Sequence, residues 1–321
     1  MWSFLIMVLG LGLIIYGANI LVDGASALAK KYNIPNIVIG LTVVAFGTSA
    51  PELAVTSYAS LSGNAEIAIG NVVGSNICNI LLILGLTSII YPLDILRNTL
   101  LKEIPLSLLA AIILFVMIND QMLGNGTENI LSLSDGIILL SFLVIFMYYL
   151  LHLAKMSNEK DYLVIQNMTT YKSLFFILGG LTLLIVGGKI FVDNASILAV
   201  EMGMSKAVIG LTIVAFGTSA PELVTCIVAA LKKNTDIAVG NIIGSNIFNV
   251  FLILGIGSVI SPLQRGNISD IDLYICILAS VLLLVARYIF GQKRITKWEG
   301  VAFVAIYVVY IGYQVEQVIS H

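Results

Sequence analysis

Charged residues are scarce in this chain: Asp, Glu, Lys and Arg make up 11% of its 321 residues, whereas 59% are hydrophobic. A soluble core of this size does not need so much apolar surface, which excludes an ordinary soluble protein and indicates a membrane protein. The net charge of −2 gives little information about partners. We expect the lipid bilayer as a partner, and no nucleic acid.

Cysteine and histidine are also rare, with three and two residues. The chain has no CxxC pair, and Cys78, Cys226 and Cys276 all fall within predicted membrane spans, so we interpret them as buried free thiols. The motifs described below contain no His. Because soft metals prefer thiolate and imidazole ligands, a site for such a metal is disfavoured, and we expect no cofactor.

Long apolar runs, by contrast, recur along the whole chain. Each has about 20 residues or more, which is enough for a helix to cross a hydrocarbon core of about 30 Å. No soluble domain fits between them, so the sequence predicts an all-α membrane protein with ten transmembrane helices. The predicted spans are 3–28, 36–61, 66–91, 99–118, 133–154, 173–199, 206–231, 236–260, 271–290 and 298–316.

The sequence repeats itself at an offset of 170 residues. Residues 40–80 and 210–250 are identical at 25 of 41 positions, which indicates a duplication. Each half carries five predicted helices, an odd number, so the second half is expected to cross the membrane in the opposite sense. The predicted organisation is a first half, 1–155, a short cytoplasmic linker, 156–172, and a second half, 173–321.

Lys and Arg are unevenly distributed over the predicted loops. One alternating set of loops holds thirteen of these residues and the other set holds two. The positive-inside rule places the richer set in the cytoplasm and both termini outside the cell. The turn at 62–64 has no basic residue, whereas its copy in the second half carries Lys232 and Lys233, as inverted halves require. We therefore expect a multi-pass protein of the cell membrane.

The hexapeptide GTSAPE occurs deep within the second and seventh predicted spans, ending at Glu52 and Glu222. An ionisable side chain at the centre of a membrane helix costs about 3 kcal/mol or more, so the two carboxylates should face each other or a watery cavity. Thr48 and Thr218 each lie four residues before a glutamate and should share its helix face.

Proline precedes each of these glutamates. Pro51 and Pro221 lack the N–H that would bond the carbonyls of Gly47 and Gly217, so each helix should loosen there and offer backbone oxygens as ligands. Irregular backbone at membrane depth is tolerated where it lines a cavity. The matched pair of prolines therefore indicates a site rather than two ordinary kinks.

A second repeated motif, GNxxGSN, follows in the third and eighth predicted spans, with Asn79 and Asn249 three residues after it. For the asparagines within the motif, hydrogen bonding between helices and a ligand role both stay open; these are Asn71, Asn76, Asn241 and Asn246. The two copies together offer carboxylate, amide, hydroxyl and backbone oxygens, the ligands that hard cations such as Ca²⁺ prefer. Two ionised glutamates balance one Ca²⁺, two Na⁺ or two protons, which suits an exchanger.

The doubled GTSAPE and GNxxGSN motifs resemble the alpha-repeats of the calcium/cation antiporter superfamily, especially its prokaryotic sodium/calcium exchangers. The resemblance covers both halves and implies antiport of Na⁺ and Ca²⁺ by alternating access, with helices one and six sliding across the other helices. By motif position, it also implies a ligand set. These ligands are Glu52, Thr48, Ser49, Ser75, Asn79 and the carbonyl of Ala45, with Glu222, Thr218, Ser219, Ser245, Asn249 and the carbonyl of Ala215 as their counterparts.

Three alternatives stay open at the level of sequence. The nearest is a proton/calcium exchanger that uses the same glutamates as proton carriers. A cation channel would also need acidic residues at depth, and a membrane scaffold without transport would need none of the polar cluster. We expect no enzymatic activity, and a monomer is compatible with the sequence.

Overall fold

The computed structural model describes residues 2–124, 128–156, 168–201, 215–266, 268–289 and 294–320, which are mostly helical. The helices are α1 (Trp2–Tyr32), α2 (Asn36–Thr48), α3 (Ala50–Leu61), α4 (Ala65–Ile90), α5 (Thr99–Met117), α6 (Asp120–Leu123), α7 (Leu133–Met156), α8 (Thr170–Glu201), α9 (Ala215–Thr218), α10 (Ala220–Leu231), α11 (Thr235–Ile260), α12 (Asp270–Ile289) and α13 (Lys297–Ser320). Four short strands are β1 (Leu93–Asp94), β2 (Ile130–Leu131), β3 (Leu263–Gln264) and β4 (Arg294–Ile295).

Seven of the described helices are long and apolar enough to cross a membrane, and the bent pair α2–α3 brings the number to eight if it counts as one span. Helix α12 has 20 residues and coincides with the predicted ninth span. The predicted seventh span begins at residue 206, outside the described residues, and continues into the shorter apolar helix α10. The prediction of a helical membrane protein is confirmed.

The central helices are α4 and α11. In their most apolar stretches 72% and 83% of residues are buried, against 33% for α1 and 28% for α8. Large apolar side chains cover the outside instead, where Tyr148 and Phe175 are each 73% exposed. A helix bonds its own backbone groups, so this apolar exterior can face lipid without unsatisfied polar atoms.

Helices α1 and α8 approach each other closely at Gly17 and Gly180. A Cβ atom added to Gly180 would lie 2.7 Å from the carbonyl oxygen of Gly17, and one added to Gly17 would lie 2.9 Å from that of Gly180. Only glycine permits this distance, because any side chain would push the backbones apart. The two long peripheral helices therefore pack as a pair.

Two strand pairs connect loops that are far apart in sequence. Strand β1 pairs with β4, with Leu93 opposite Ile295, and β2 pairs with β3, with Leu131 opposite Leu263. Strands β1 and β2 lie before and after α5 along the chain, and their partners β4 and β3 lie after and before α12.

Candidate cation site

The chain breaks its helical course at Ser49 and at Ser219, in the middle of the two GTSAPE motifs. Their backbone angles are φ −82°, ψ 8° and φ −87°, ψ 1°, outside the helical region. Pro51 and Pro221 follow within the first turn of α3 and α10. Because proline fits the first turn of a helix and disrupts the interior, the sequence ends one helix and begins another here. The bend between α2 and α3 is 47°.

Glu52 and Glu222 lie in the first turn of the helices that begin at these breaks, and each is only 1% exposed. The N-terminus of a helix carries partial positive charge, which favours a carboxylate at this position. The prediction that both carboxylates lie deep inside the protein agrees with this burial.

The two motifs contact each other crosswise. The hydroxyl of Ser49 donates to Oε1 of Glu222 at 3.1 Å, and the hydroxyl of Ser219 lies near Glu52. Ser75 donates to Oε1 of Glu52 at 3.4 Å and accepts from Ser219 at 3.5 Å. Residues about 170 positions apart in sequence thus form one cluster.

Thr48 departs from the sequence-based expectation. Thr48 does not share a continuous helix face with Glu52, because the break at Ser49 turns the chain between them. Its hydroxyl instead donates to Oδ1 of Asn241 at 3.0 Å and lies near Glu222 in the other motif. Thr218 is partly exposed, at the wall of a cavity.

Two backbone carbonyls belong to the predicted ligand set. The carbonyl of Ala45 accepts the N–H of Ser49 at 3.0 Å and lies 3.4 Å from the hydroxyl of Thr48. Ala215 is the first residue of α9, and its side chain lies outside the described part.

Four asparagines join α4 to α11 by reciprocal hydrogen bonds. The amides of Asn76 and Asn246 each donate to the other's backbone carbonyl at 3.3 Å. Asn79 donates to Oδ1 of Asn246, and Asn249 donates to Oδ1 of Asn76, both at 2.9 Å. These bonds use the NH₂ groups of Asn79 and Asn249 and so leave their Oδ1 atoms as acceptors.

Five buried side-chain oxygens of the predicted ligand set have no hydrogen-bond partner among the described residues. A buried polar atom without a partner costs free energy, and most such atoms in proteins are paired, so a group of them calls for an occupant. The five atoms are Glu52 Oε2, Glu222 Oε2, Asn79 Oδ1, Asn249 Oδ1 and Ser245 Oγ.

The side chains of this cluster offer oxygens, which are the ligands that hard cations prefer. In the part of the chain that the structure describes, no group of three or more His, Cys, Asp or Glu side chains could hold a metal. The two carboxylates therefore supply the charge, and neutral oxygens supply the other ligands. An all-oxygen set of this kind suits Ca²⁺ or Na⁺ better than a soft metal.

Sequence reasoning did not assign the orienting role of Asn76 and Asn246. Their spacing of three residues before Asn79 and Asn249, repeated in both copies, was the available signal. The sequence also did not reveal that Asn79 and Asn249 lie in π-helical segments. These segments, Cys78–Leu84 and Asn249–Leu254, interrupt α4 and α11. Such segments occur often at functional sites, because they re-aim side chains.

Two cavities reach the cluster. One of about 530 Å³ lies between α3 and α8 and extends to Thr218 and Pro221. The other, of about 210 Å³, lies between α4, α12 and α13 and extends to Ser75. Each cavity therefore borders a residue of the predicted ligand set, Thr218 in the first and Ser75 in the second.

Comparisons with known proteins agree with this site. A family model described as sodium/calcium exchanger protein matches residues 2–152 and 172–316. The sodium/calcium exchanger MaX1 of Methanosarcina acetivorans is 31% identical over 346 residues, covering 96% of this chain and 97% of its own. The putative antiporter CaxA of Alkalimonas amylolytica is 35% identical over 96% of both chains.

A solved structure has the same fold. The sodium-calcium exchanger NCX_Mj, soaked with 2.5 mM Na⁺ and 10 mM Sr²⁺, matches with a TM-score of 0.83 and 34% identity, covering 97% of this chain and 98% of that one. The family model covers most of the sequence, and these relatives exceed 30% identity over nearly its whole length. The resemblance seen in the repeated motifs is confirmed, and the chain belongs to the sodium/calcium exchanger family.

Proposed function

We propose that this chain is a secondary active antiporter that exchanges Na⁺ for Ca²⁺ across a membrane. The observation that carries the proposal is the group of five buried oxygens that lack partners in the described part of the chain, two of them from carboxylates of opposite halves. Membership of the sodium/calcium exchanger family supports the same ions. No catalytic residue and no cofactor is involved, because the ions are the transported substrates.

The ion ligands that we propose are the oxygens gathered by the two repeated motifs. Ca²⁺ takes about 6–8 oxygens at 2.3–2.6 Å, more than the two carboxylates alone supply. The neutral oxygens of hydroxyls, amides and backbone carbonyls complete the set. The set consists of Glu52, Thr48, Ser49, Ser75, Asn79 and the Ala45 carbonyl, and of Glu222, Thr218, Ser219, Ser245, Asn249 and the Ala215 carbonyl.

Charge balance explains how one site serves two ions. One Ca²⁺ or two Na⁺ neutralises the two carboxylates, whereas the empty site leaves two buried charges close together. Burying an uncompensated charge is strongly unfavourable, so the closed intermediate between the two open conformations is accessible only with ions bound. One cation must therefore leave before the other is carried.

We infer that the chain has ten transmembrane helices in two inverted five-helix halves, 1–155 and 173–321. The alternating distribution of Lys and Arg supports this topology, with the Lys232 turn in the cytoplasm and both termini outside the cell. The crosswise contacts of Ser49 and Ser219 are also what a two-fold relation between the halves would produce. A single chain contains the whole site, so a monomer suffices for exchange.

The test is calcium flux into vesicles that contain the purified protein, with sodium and pH gradients imposed separately. We expect calcium uptake to follow an outward sodium gradient and to stop when that gradient is removed. Uptake driven by a pH gradient alone would identify a proton/calcium exchanger instead. Uptake that needs no counter-ion on the opposite side would identify a channel and overturn the antiporter proposal.

A further inference from the structure

Helix α1 is tied to the turn between α10 and α11 by two polar contacts. The Nζ atom of Lys232 lies 2.6 Å from Oδ1 of Asp23 and donates to the carbonyl of Asn19 at 2.9 Å. Two residues further along the turn, the amide of Asn234 donates to the hydroxyl of Ser26 at 3.0 Å. Asn234 and Ser26 are both buried, at 3% and 7% exposure.

The repeat offset of 170 residues locates the equivalent positions in the other half. Asp193 and Ser196 on α8 correspond to Asp23 and Ser26 on α1. Ser62 and Asn64, in the turn between α3 and α4, correspond to Lys232 and Asn234.

The equivalent contacts are not made at this second position. The amide of Asn64 donates within its own turn, to the hydroxyl of Ser62 at 3.3 Å. The hydroxyl of Ser196 has no hydrogen-bond partner among the described residues. Ser62, Asn64 and Asp193 instead line the cavity of about 530 Å³ that separates α3 from α8.

The charges at the two positions differ as well. Where α1 meets the α10–α11 turn, which we call the closed position, Lys232 belongs to the turn and Asp23 to α1, so their ion pair joins two elements. At the equivalent position between α3 and α8, which we call the open position, the turn has the neutral Ser62. The lysine nearest to Asp193 in sequence is Lys189, which lies on the same helix. Closing the cavity would bring Asn64 to Ser196 but would form no ion pair equivalent to Lys232–Asp23.

We propose that four residues form a latch that holds α1 against the α10–α11 turn: Asp23, Ser26, Lys232 and Asn234. The opposite end has no equivalent of the Lys232–Asp23 ion pair. The resting state is therefore the conformation that is open at the α3–α4 end. This inference rests on the proposed function, because it assumes that the two ends open alternately. The side chains of Lys232 and Asp23 are 30% and 45% exposed. A pair this accessible to solvent shifts the ratio of the two conformations by about two- to fivefold.

The test measures that ratio by double electron–electron resonance on the full-length protein. Spin labels at Tyr58→Cys on α3 and Ile197→Cys on α8 flank the cavity, and both native side chains are exposed, at 74% and 48%. The three native cysteines are buried, so the unsubstituted chain gives the labelling background.

We expect Asp23→Asn and Lys232→Ser each to lower the ratio of long to short label distances by about two- to fivefold. The charge-swapped variant, Asp23→Lys with Lys232→Asp, should restore it, which a general loss of packing would not allow. An unchanged ratio in both single variants, or no recovery in the swapped variant, overturns the latch.

A second arm places the missing lysine at the opposite end. Ser62→Lys combined with Lys189→Asn copies the arrangement of the closed position and should favour the short distance. Adding Asp193→Asn should abolish that effect. A distance distribution that Ser62→Lys leaves unchanged argues against the ion pair as the determinant.

Calcium flux of the unsubstituted chain in vesicles tests the proposed antiport separately from the latch. Absence of sodium-dependent flux would contradict the proposed function itself. Normal flux with distance ratios that no latch substitution moves would contradict the latch alone.

Discussion

Replacing Glu222 by Gln removes one of the two charges of the candidate site and keeps the size of the side chain and one oxygen acceptor. Glu222 is 1% exposed, so water cannot compensate the lost charge. Removing one partner of a buried ion pair costs about 3–5 kcal/mol, and each 1.4 kcal/mol is about a tenfold change in affinity. We therefore expect Ca²⁺ affinity to fall by about a hundredfold to several-thousandfold, and Glu52→Gln to have a similar effect.

The assay is isothermal titration of Ca²⁺ into the purified protein in detergent at low sodium, with thermal unfolding measured on the same samples. Glu103→Gln is the matched control. Glu103 is also 1% exposed, but its Oε1 accepts from Tyr149 of α7 rather than from a residue of the site. This control should bind Ca²⁺ as the unsubstituted chain does.

Two results would contradict a Ca²⁺ site that depends on the charge of Glu222. One is a Glu222→Gln protein that is folded and keeps its Ca²⁺ affinity within about threefold of the parent, far less than removal of a buried charge requires. The other is a Glu103→Gln protein that loses affinity equally, which would mean that any buried carboxylate matters to the same degree.

Other predictions concern the support of the site and the packing around it. Asn76→Ala removes the acceptor that orients Asn249, and should weaken Ca²⁺ binding about tenfold in the same titration, as loss of an outer partner typically does at metal sites; unchanged binding would contradict the orienting role. Gly180→Ala forces α1 and α8 apart and should lower the free energy of unfolding by about 1–3 kcal/mol, measured by denaturant titration. The neighbouring Gly179→Ala, whose added Cβ would meet nothing closer than 3.9 Å, should leave it nearly unchanged.

Composition and repetition allowed much of this molecule to be predicted from its sequence. The apolar runs gave the helical membrane class, because only a bilayer solvates so much apolar surface. A glutamate after a proline in two identical hexapeptides predicted that Glu52 and Glu222 lie at depth beside a disturbed helix. Membrane helices and the helix breaks beside the glutamates both depend on residues that are close together in sequence, so the sequence predicts them directly.

The contacts between the two copies of the motifs could not be predicted in the same way. The sequence suggested that Thr48 would accompany Glu52, whereas its hydroxyl lies near Glu222, because the backbone turns at Ser49. The orientation of the Asn79 amide depends on Asn246, 167 residues away. Such contacts depend on how the helices cross, and periodicity within one helix contains no information about that crossing.

The two strand pairs have a mechanical consequence. Strands β1 and β4 tie the loop between α4 and α5 to the loop between α12 and α13, and β2 and β3 tie the loop between α5 and α7 to the loop between α11 and α12. The six long helices bounded by these loops thus form a braced frame that resists shear. Among the described residues, helices α1 and α8 adjoin no such strand, so the strand pairs do not oppose rigid-body displacement of these two helices against the frame.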